Sequence, residues 1–275
     1  MSHPTHLDPS QLGTKSYWDT AYETELSNFS SNPEDEGTVW FSDAGAEERM
    51  LSFLEDLCDE DEQVDAPLRK EDDDGEEGGE GKATRFLDLG TGNGHLLFAL
   101  REDGWEGDML GVDYSPASVA LARSIAASKT SSAPAEGRQE ENDGDDKEEE
   151  KKEASYADIA FQEWDILTQQ PGPWLGAGFD VVLDKGTFDA ICLSQETDAQ
   201  GHRICEGYRE AVEKLVKGKT GRFLITSCNW TAEELRGWFE VEGGGLVYEG
   251  AVRYPSFKFG GKEGAKVATL CFRRR

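Results

Sequence analysis

The sequence predicts an α/β fold, a Rossmann-like seven-stranded sheet with helices on both faces and an antiparallel hairpin at the C-terminal end. Five short apolar runs, each typical of a buried strand, alternate with segments whose apolar residues recur at helical spacing. The last two strand-like runs follow one another with no helix between them, so we expect them to pair antiparallel. A dehydrogenase-type sheet of parallel strands would lack this hairpin.

The first predicted strand leads into the most informative motif of the chain. Phe86–Leu89 is apolar apart from Asp88, glycines occupy alternate positions in Gly90–Gly94, and a helix is predicted from His95. Glycine lets a ligand approach the backbone, and the free N–H groups of a helix start favour a polar or anionic group. The spacing is G-x-G-x-G, whereas the dinucleotide fingerprint is G-x-G-x-x-G. We interpret it as a site for S-adenosylmethionine (SAM); a purely structural turn is the alternative.

The next two strands place candidate ligand contacts at their carboxyl ends. The strand Met109–Val112 ends at Asp113, about 20 residues after the glycine turn, where nucleotide-binding α/β folds hold ribose hydroxyls with an acidic side chain. The alternative for this aspartate is a simple turn at the strand end. The strand Ile159–Phe161 is followed by Asp165 and Ile166, which suit the amino group and the ring face of adenine.

The fourth predicted strand, Phe179–Leu183, leads into the loop Asp184–Asp189. Ligands of open α/β sheets bind outside the carboxyl ends of the strands, so this loop is expected to face the reactive end of the cofactor. Lys185 is either an ion-pair partner of Asp184 or a structural lysine of the loop.

The C-terminal part of the chain contains a fifth strand, a helix and the hairpin. The strand Arg222–Cys228 precedes Thr231–Glu234, whose Thr-x-x-Glu pattern is a capping box that begins a helix. We predict the two strands of the hairpin at Val252–Phe259 and Lys266–Phe272.

The domain organisation follows from composition. Residues 1–57 form an N-terminal arm with two predicted helices, one of which (Ser16–Phe29) carries aromatic residues that either pack on the core or cover the cofactor. Residues 58–83 are acidic and glycine-rich, and residues 128–155 are also highly charged, so both are predicted to be disordered insertions. The SAM-dependent catalytic domain is predicted over residues 84–275, around the second insertion.

Composition also restricts the class of protein. A formal net charge of −29, from 57 acidic and 28 basic residues, argues against nucleic-acid binding and is compatible with a basic protein partner. The five cysteines form no C-x-x-C pair, which favours reduced thiols over a disulfide framework or a metal site. No apolar run is long enough for a membrane span. We expect a monomer in the cytoplasm, with a nuclear fraction also compatible, and no membrane, metal or nucleic-acid contact.

Six stretches resemble the eukaryotic protein-lysine methyltransferases that modify translation elongation factor 1-alpha, in particular the small single-domain members found from yeast to animals. They are Tyr17–Tyr22, Asp88–Gly94, Gly111–Ser115, Leu183–Ala190, Thr226–Asn229 and Tyr254–Gly260. The glycine motif is shared by SAM enzymes in general, the Asp-Lys-Gly-Thr loop by a few lysine methyltransferases, and Tyr254–Gly260 is the most specific. The resemblance implies a seven-stranded methyltransferase fold, SAM as methyl donor and a lysine of elongation factor 1-alpha as acceptor.

The resemblance also implies roles for individual residues. The glycine turn would hold the methionine end of SAM, Asp113 the ribose, and Asp165 with Ile166 the adenine. The complete set expected to bind the cofactor is Asp88, Gly90, Thr91, Gly92, Asn93, Gly94, Asp113, Tyr114, Asp165, Ile166 and Asp184. The set expected to act in catalysis is Asp184, Lys185, Trp18 and Tyr22.

Methyl transfer to lysine requires a neutral amine, whereas a free lysine has a pKa of about 10.4. A narrow, partly apolar channel next to a sulfonium lowers that pKa by desolvation and repulsion. Aromatic walls suit such a channel, and the candidates are Trp18, Tyr22, Trp40 and Trp230. Our hypothesis is that Asp184 orients the incoming amine through its loop and does not act as a strong base.

Two other functions are compatible with the same fold. One is a methyltransferase that acts on a small molecule, and the other is a catalytically silent SAM-binding scaffold. The acidic balance and the absence of a recognisable substrate domain favour a protein substrate over a small molecule. The intact glycine motif and Asp113 speak against a silent protein.

Overall fold

The computed structural model describes residues 4–58, 66–72, 81–132, 155–255, 257–259 and 262–275. The strands are β1 (Phe86–Leu89), β2 (Met109–Asp113), β3 (Ile159–Glu163), β4 (Val181–Lys185), β5 (Arg222–Ser227), β6 (Leu246–Ala251), β7 (Phe257–Phe259), β8 (Lys262–Gly264) and β9 (Ala268–Arg274). The α-helices are α1 (Lys15–Ser31), α2 (Ala46–Asp56), α3 (His95–Glu102), α4 (Pro116–Ser132), α5 (Thr187–Cys192), α6 (Tyr208–Leu215) and α7 (Ala232–Phe239). Short 3-10 turns connect several of them.

Seven of the strands form one mixed sheet in the order β3-β2-β1-β4-β5-β9-β6. Strands β1 to β5 are parallel, and β9 runs antiparallel to both β5 and β6. This confirms the predicted α/β sheet with an antiparallel C-terminal hairpin. The strand order reverses between β1 and β4, and a crevice opens at the carboxyl ends of strands at such a switch point.

Alternate residues of the central strands enter two hydrophobic clusters, one on each face of the sheet. Phe86 of β1 belongs to the cluster that includes helices α1 to α4, whereas its neighbour Leu87 belongs to the cluster that includes α5 to α7. Val181 and Val182 of β4 divide between the clusters in the same way. The two-residue period of a strand therefore places helices on both faces.

The N-terminal helices share the core of the sheet. Tyr22 and Phe29 of α1 and Met50 of α2 belong to the same cluster as Phe86 of β1. Helix α1 also packs against α4. The residues predicted as an N-terminal arm thus lie against the sheet, and the first turns of the chain reach its carboxyl edge.

One strand of the hairpin lies earlier in the chain than predicted. The prediction placed it at Val252–Phe259, but β6 covers Leu246–Ala251, and residues 257–259 pair with β8 in a separate two-stranded ribbon. The reason is Pro255, which has no N–H to donate to a ladder and interrupts the predicted run. Glycines around β6 hid its strand character in the sequence.

The predicted insertions are also too long at their edges. Residues 66–72 pack on the body of the protein, where Leu68 is buried and its N–H donates to the Leu57 carbonyl. Helix α4 continues to Ser132, past the predicted boundary at residue 128. The remaining parts of both predictions, residues 59–65, 73–80 and 133–154, lie outside the described residues.

Candidate active site

A cavity of about 330 Å³ lies at the carboxyl ends of β1, β2 and β4. It brings together all of the predicted site residues except Gly94 and Asp184. The members of the predicted set that line it are Trp18, Tyr22, Asp88, Gly90, Thr91, Gly92, Asn93, Asp113, Tyr114, Asp165, Ile166 and Lys185. The crevice expected from the strand order is therefore the place where the sequence motifs converge.

The glycine turn after β1 lines the cavity with Gly90 and Gly92. Gly90 and Gly92 both have left-handed backbone conformations, with φ of 64° and 58°. A Cβ on Gly90 would lie 2.1 Å from the Thr187 hydroxyl, and a Cβ on Gly92 would lie 2.8 Å from the Tyr22 hydroxyl. A side chain at either position would therefore strain the turn and fill the space next to it. Gly94 contacts the ring of Phe161 and serves packing instead of the cavity.

Asp113 holds the glycine turn against the end of β2. One of its carboxylate oxygens accepts from the Gly92 N–H at 3.2 Å and the other accepts from the Ser115 N–H at 2.9 Å. Ser118 donates to the Gly92 carbonyl at 2.8 Å and closes the arrangement. Burial raises the pKa of Asp113, although these hydrogen bonds oppose the shift. The carboxylate lines the cavity in a fixed orientation, which suits recognition of hydroxyl groups.

Asp88 lines the same cavity from inside β1. Its side chain is buried, and burial raises its pKa from 3.8 to about 7. Lys185 favours its charged form, whereas Glu47 and Asp113 disfavour it. A buried carboxylate with such a pKa is suited to respond to a cationic ligand, which would stabilise its ionised form.

The side of the cavity predicted for adenine contains Asp165, Ile166 and Tyr114. The Asp165 carboxylate accepts from the Leu167 N–H at 2.9 Å and from the Thr168 hydroxyl at 2.8 Å. These local bonds hold the turn after β3 so that Ile166 faces the cavity. The Tyr114 ring lies 4.4 Å from Lys15 Nζ, which ties the start of α1 to this side.

Aromatic residues of the N-terminal segment also line the cavity. The Trp18 ring stacks on Tyr22 with centroids 6.0 Å apart and meets Trp40 edge-on at 5.5 Å. The Trp18 indole N–H donates to the Leu12 carbonyl at 2.7 Å. Trp230, the fourth aromatic candidate for the channel, is instead buried in the core beside Phe188, so that prediction is wrong for Trp230.

Asp184 does not line the cavity, in contrast to its predicted contact with the cofactor and the amine. It is fully buried, and it accepts from Thr187 N–H at 2.8 Å, Phe188 N–H at 3.0 Å and the Tyr208 hydroxyl at 2.6 Å. Burial raises its pKa to about 7. The predicted loop is in fact the end of β4 followed by α5, and Asp184 caps the first N–H groups of that helix.

Lys185 is paired with Glu47 and not with Asp184. Its Nζ lies 3.4 Å from Glu47 Oε1 and donates to the Trp40 carbonyl at 3.1 Å. Glu47 Oε2 lies 2.6 Å from His95 Nδ1, at the start of α3. The hydrogen bond to Glu47 raises the pKa of His95. Burial opposes ionisation of Glu47, but His95 and Lys185 outweigh it, so the pKa of Glu47 is lowered.

Sequence reasoning missed Glu47 and did not single out Asp189, although both line the cavity. The sequence did contain an indication for Glu47. It lies three residues before Met50 and seven before Leu54, and therefore on the apolar face of α2, where a charged side chain needs a partner. Asp189 accepts from the Ser227 hydroxyl and from the Cys228 N–H at 2.8 Å, and it thereby joins α5 to the end of β5. Only the fold shows that contact.

None of the helices within the described residues has the length and apolar character needed to cross a membrane. In the same part of the chain, no group of three or more histidine, cysteine or acidic side chains is arranged to hold a metal ion.

The residues of the cavity fit SAM. SAM has a charged amino-acid end, a ribose and a cationic sulfonium. The cavity offers a glycine turn with no room for side chains, buried carboxylates at the ends of β1 and β2, and aromatic residues, and these features suit such a ligand.

Comparison with known proteins agrees with this assignment. A family model described as a methyltransferase domain matches residues 80–135. The cyclase SpnF, a solved structure, aligns over 99% of both chains with a TM-score of 0.54 and 12% identity, a likeness that concerns the fold alone.

Two curated relatives are similar over nearly the whole chain. "Protein-lysine N-methyltransferase EFM4" of Saccharomyces cerevisiae is 37% identical, with 99% of this chain and 98% of the relative covered. "EEF1A lysine methyltransferase 2" of Homo sapiens is 32% identical, with 97% of this chain and 88% of the relative covered. The chain therefore belongs to the family of SAM-dependent protein-lysine N-methyltransferases that includes these two proteins.

Proposed function

We propose that this protein transfers the methyl group of SAM to a lysine side chain of translation elongation factor 1-alpha. The observation that carries the proposal is the near full-length similarity to relatives named for protein-lysine and EEF1A lysine methylation. The cavity supports it, because it joins a glycine turn, buried carboxylates and an aromatic wall at the switch point of the sheet.

We propose the following roles in SAM binding for residues that line the cavity. The glycine turn, with Asp88, Thr91 and Asn93, holds the methionine end of SAM. Asp113 and Tyr114 hold the ribose, and Asp165 with Ile166 holds the adenine. When bound, SAM supplies a methyl group that is already activated on a sulfonium. The protein therefore acts mainly by positioning and by excluding water.

On the acceptor side, the target lysine has to lose its proton before it can attack. Trp18, Tyr22 and Trp40 line a cavity in which an ammonium would be partly desolvated, and this lowers its pKa. The same ring faces tolerate a cationic or methylated amine. The released proton has a carboxylate in the same cavity, since Asp189 is a buried acid with a raised pKa.

Asp184 acts as a positioning residue in this proposal. Its carboxylate is occupied by α5 and Tyr208, so it orients the amine only through the geometry of Lys185, Gly186 and Thr187.

The proposal is tested by incubating the purified protein with radiolabelled SAM and purified elongation factor 1-alpha. We expect label in the elongation factor and, after hydrolysis and mass spectrometry, methylated lysine; a Gly92→Ala variant, which should bind SAM more weakly, is the control with reduced activity at low SAM concentration. Label confined to small molecules of a cell lysate would favour a small-molecule methyltransferase. SAM binding with no transfer to any acceptor would favour a silent scaffold.

We also propose that the protein works as a monomer in a reducing compartment such as the cytoplasm. Cys192, Cys205, Cys228 and Cys271 are free thiols, which supports the reducing environment. Sedimentation of the purified protein and fractionation of cells test the two statements separately.

A further inference from the structure

Four residues from three separate parts of the chain form a continuous line of polar contacts along the cavity. His95 Nδ1 lies 2.6 Å from Glu47 Oε2, and Glu47 Oε1 lies 3.4 Å from Lys185 Nζ. Lys185 Nζ donates to the main-chain carbonyl of Trp40 at 3.1 Å. The side chains of Glu47 and Lys185 are only 8% and 13% exposed, so solvent screens this line weakly. It connects the helix after the glycine turn to the turn Trp40–Phe41.

The turn Trp40–Phe41 has a conformation that its own sequence disfavours. Phe41 has φ 63° and ψ 19°, a left-handed conformation that is unusual for a bulky residue. Its ring packs on Gly186, where a Cβ would lie 3.0 Å from the ring edge, and it lies 6.0 Å from Lys185 Nζ. Contacts from β4 and its end therefore hold the turn in place. Backbone strain of this kind concentrates at functional sites.

Trp40 occupies the mouth of the cavity. It is 38% exposed, and no other large hydrophobic residue whose burial is described is exposed to that degree. Its ring meets Trp18, and both residues line the cavity together with Glu47. Glu47 Oε1 is buried and lies 3.4 Å from Lys185 Nζ, so it is already paired with a cation. The exposed indole face of Trp40 suits an alkyl stem that ends in a cation.

We propose that Trp40 is the docking anchor for the target lysine and that Lys185 is a positioning residue that latches the turn Trp40–Phe41 in its docking conformation. The occupant is a lysine side chain of a protein segment, and this part of the proposal rests on the proposed function. Lys185 thus acts through the Trp40 carbonyl, and Glu47 keeps the Lys185 ammonium directed at it. The latch itself is a property of the free protein.

The latch is tested without substrate by NMR relaxation of the Trp40 indole, identified by its loss in Trp40→Phe. In Lys185→Met we expect the Trp40 indole to gain fast motion, and in Lys185→Arg, which keeps a cationic donor, we expect most of the order to return. The matched control is Lys217→Met, which removes an ion pair with Asp180 (2.7 Å) just before the other end of β4. A Trp40 indole that is equally ordered in wild type and Lys185→Met overturns the latch.

The anchor is tested by steady-state kinetics with elongation factor 1-alpha at saturating SAM. We expect Trp40→Ala and Lys185→Met each to lower kcat/KM for the protein substrate about tenfold or more, mainly through KM. SAM affinity, measured by calorimetry at about pH 9, where Asp88 is ionised with or without Lys185, should change less than about threefold, because the anchor contacts the acceptor. The double variant should have the same kcat/KM as Trp40→Ala, since both substitutions remove the same interaction with the target lysine.

Fully additive losses, or wild-type KM in both single variants, overturn the anchor. Wild-type protein that methylates no lysine of the elongation factor contradicts the proposed function instead, and the NMR measurement still decides on the latch. Loss of SAM binding in Lys185→Met would place Lys185 in the cofactor site and also overturn its role as a latch.

Discussion

Asp88 is a buried acid whose protonation is linked to ligand binding. Burial raises its pKa to about 7, and it faces a cavity that suits a cationic ligand. Binding of a cation would favour the ionised carboxylate and lower that pKa. Near neutral pH, SAM binding at this site should therefore be accompanied by release of a proton.

We expect the affinity of the wild-type protein for SAM to increase as the pH rises through about 7 and then to level off. Calorimetry in buffers of different ionisation enthalpy measures the released proton directly. Asp88→Asn should bind SAM more weakly and without this pH dependence. The control is Asp108→Asn, an exposed carboxylate paired with Arg85 at the amino end of β2. A wild-type affinity that is independent of pH contradicts the assignment.

Gly92 combines a positive φ with a close neighbour, and Gly201 allows the two effects to be separated. Both have left-handed backbone conformations, but a Cβ on Gly92 would lie 2.8 Å from the Tyr22 hydroxyl, whereas nothing lies within 4 Å of a Cβ on Gly201. Alanine at either position costs about 1–2 kcal/mol of backbone strain.

We therefore expect Gly92→Ala and Gly201→Ala to lose similar stability in urea unfolding, apart from the added clash in Gly92→Ala. Only Gly92→Ala should also weaken SAM binding, by about tenfold or more, which corresponds to about 1.4 kcal/mol. Normal SAM affinity in folded Gly92→Ala would mean that the turn is structural only.

At the scale of elements, the ion pair between His95 and Glu47 joins the first turns of α2 and α3. The hydrogen bond to Glu47 raises the pKa of His95 above its ordinary value of 6.5. The folded protein thus binds this proton more tightly than the unfolded chain. The contribution of His95 to stability is complete below about pH 6.5 and is lost as the pH rises through the raised pKa.

We expect His95→Gln to reduce the free energy of unfolding more at about pH 6 than at about pH 9. Chemical unfolding of wild type and variant at both pH values measures the difference. His202→Gln is a matched control, because His202 pairs with Asp198 on the surface, with both side chains largely exposed. An effect of His95→Gln that is constant over this range would show that the pair makes no charged contribution.

The capping box at the start of α7 is an element that both the sequence and the structure contain. The Thr231 hydroxyl accepts from the Glu234 N–H, and Glu234 accepts from the Thr231 N–H at 2.9 Å. We expect Thr231→Ala to cost about 1 kcal/mol of stability and to leave SAM affinity unchanged, since neither residue lines the cavity. Urea unfolding and calorimetry provide the two measurements.

At the scale of the whole molecule, SAM should bind the folded chain and not the unfolded one, because the cavity is formed by β1, β2, α1 and the turn after β3. At 100 times its dissociation constant, such a ligand adds about 2.7 kcal/mol to the free energy of unfolding. For a chain of this size that corresponds to an increase in Tm of roughly 5–10 °C. Thermal unfolding with SAM and with its demethylated product tests this, and no increase with either contradicts the assigned ligand.

Most of the fold and the cofactor side of the site could be predicted because their signals are local. The strand–glycine–helix corner, the aspartate after β2 and the capping box each depend on residues that are neighbours in the chain. Strand β6 was missed because glycines weaken its strand pattern, although pairing with β9 stabilises it. The edges of the acidic segments were missed because their sequences are highly charged, although contacts with the rest of the fold hold them.

The acceptor side depended on contacts that no local pattern contains. The sequence was enough to predict the order of strands and helices, the glycine turn and the position of Asp113 at a strand end. These features depend on hydrophobic periodicity and backbone conformation, which are set by residues close together in the chain. Only the tertiary structure decided that Asp184 is buried behind the site, that Trp230 belongs to the core, and that Glu47, His95 and Lys185 meet. Those residues are separated by tens of positions, and only the closing of α2 and α3 onto the sheet brings their charges within bonding distance.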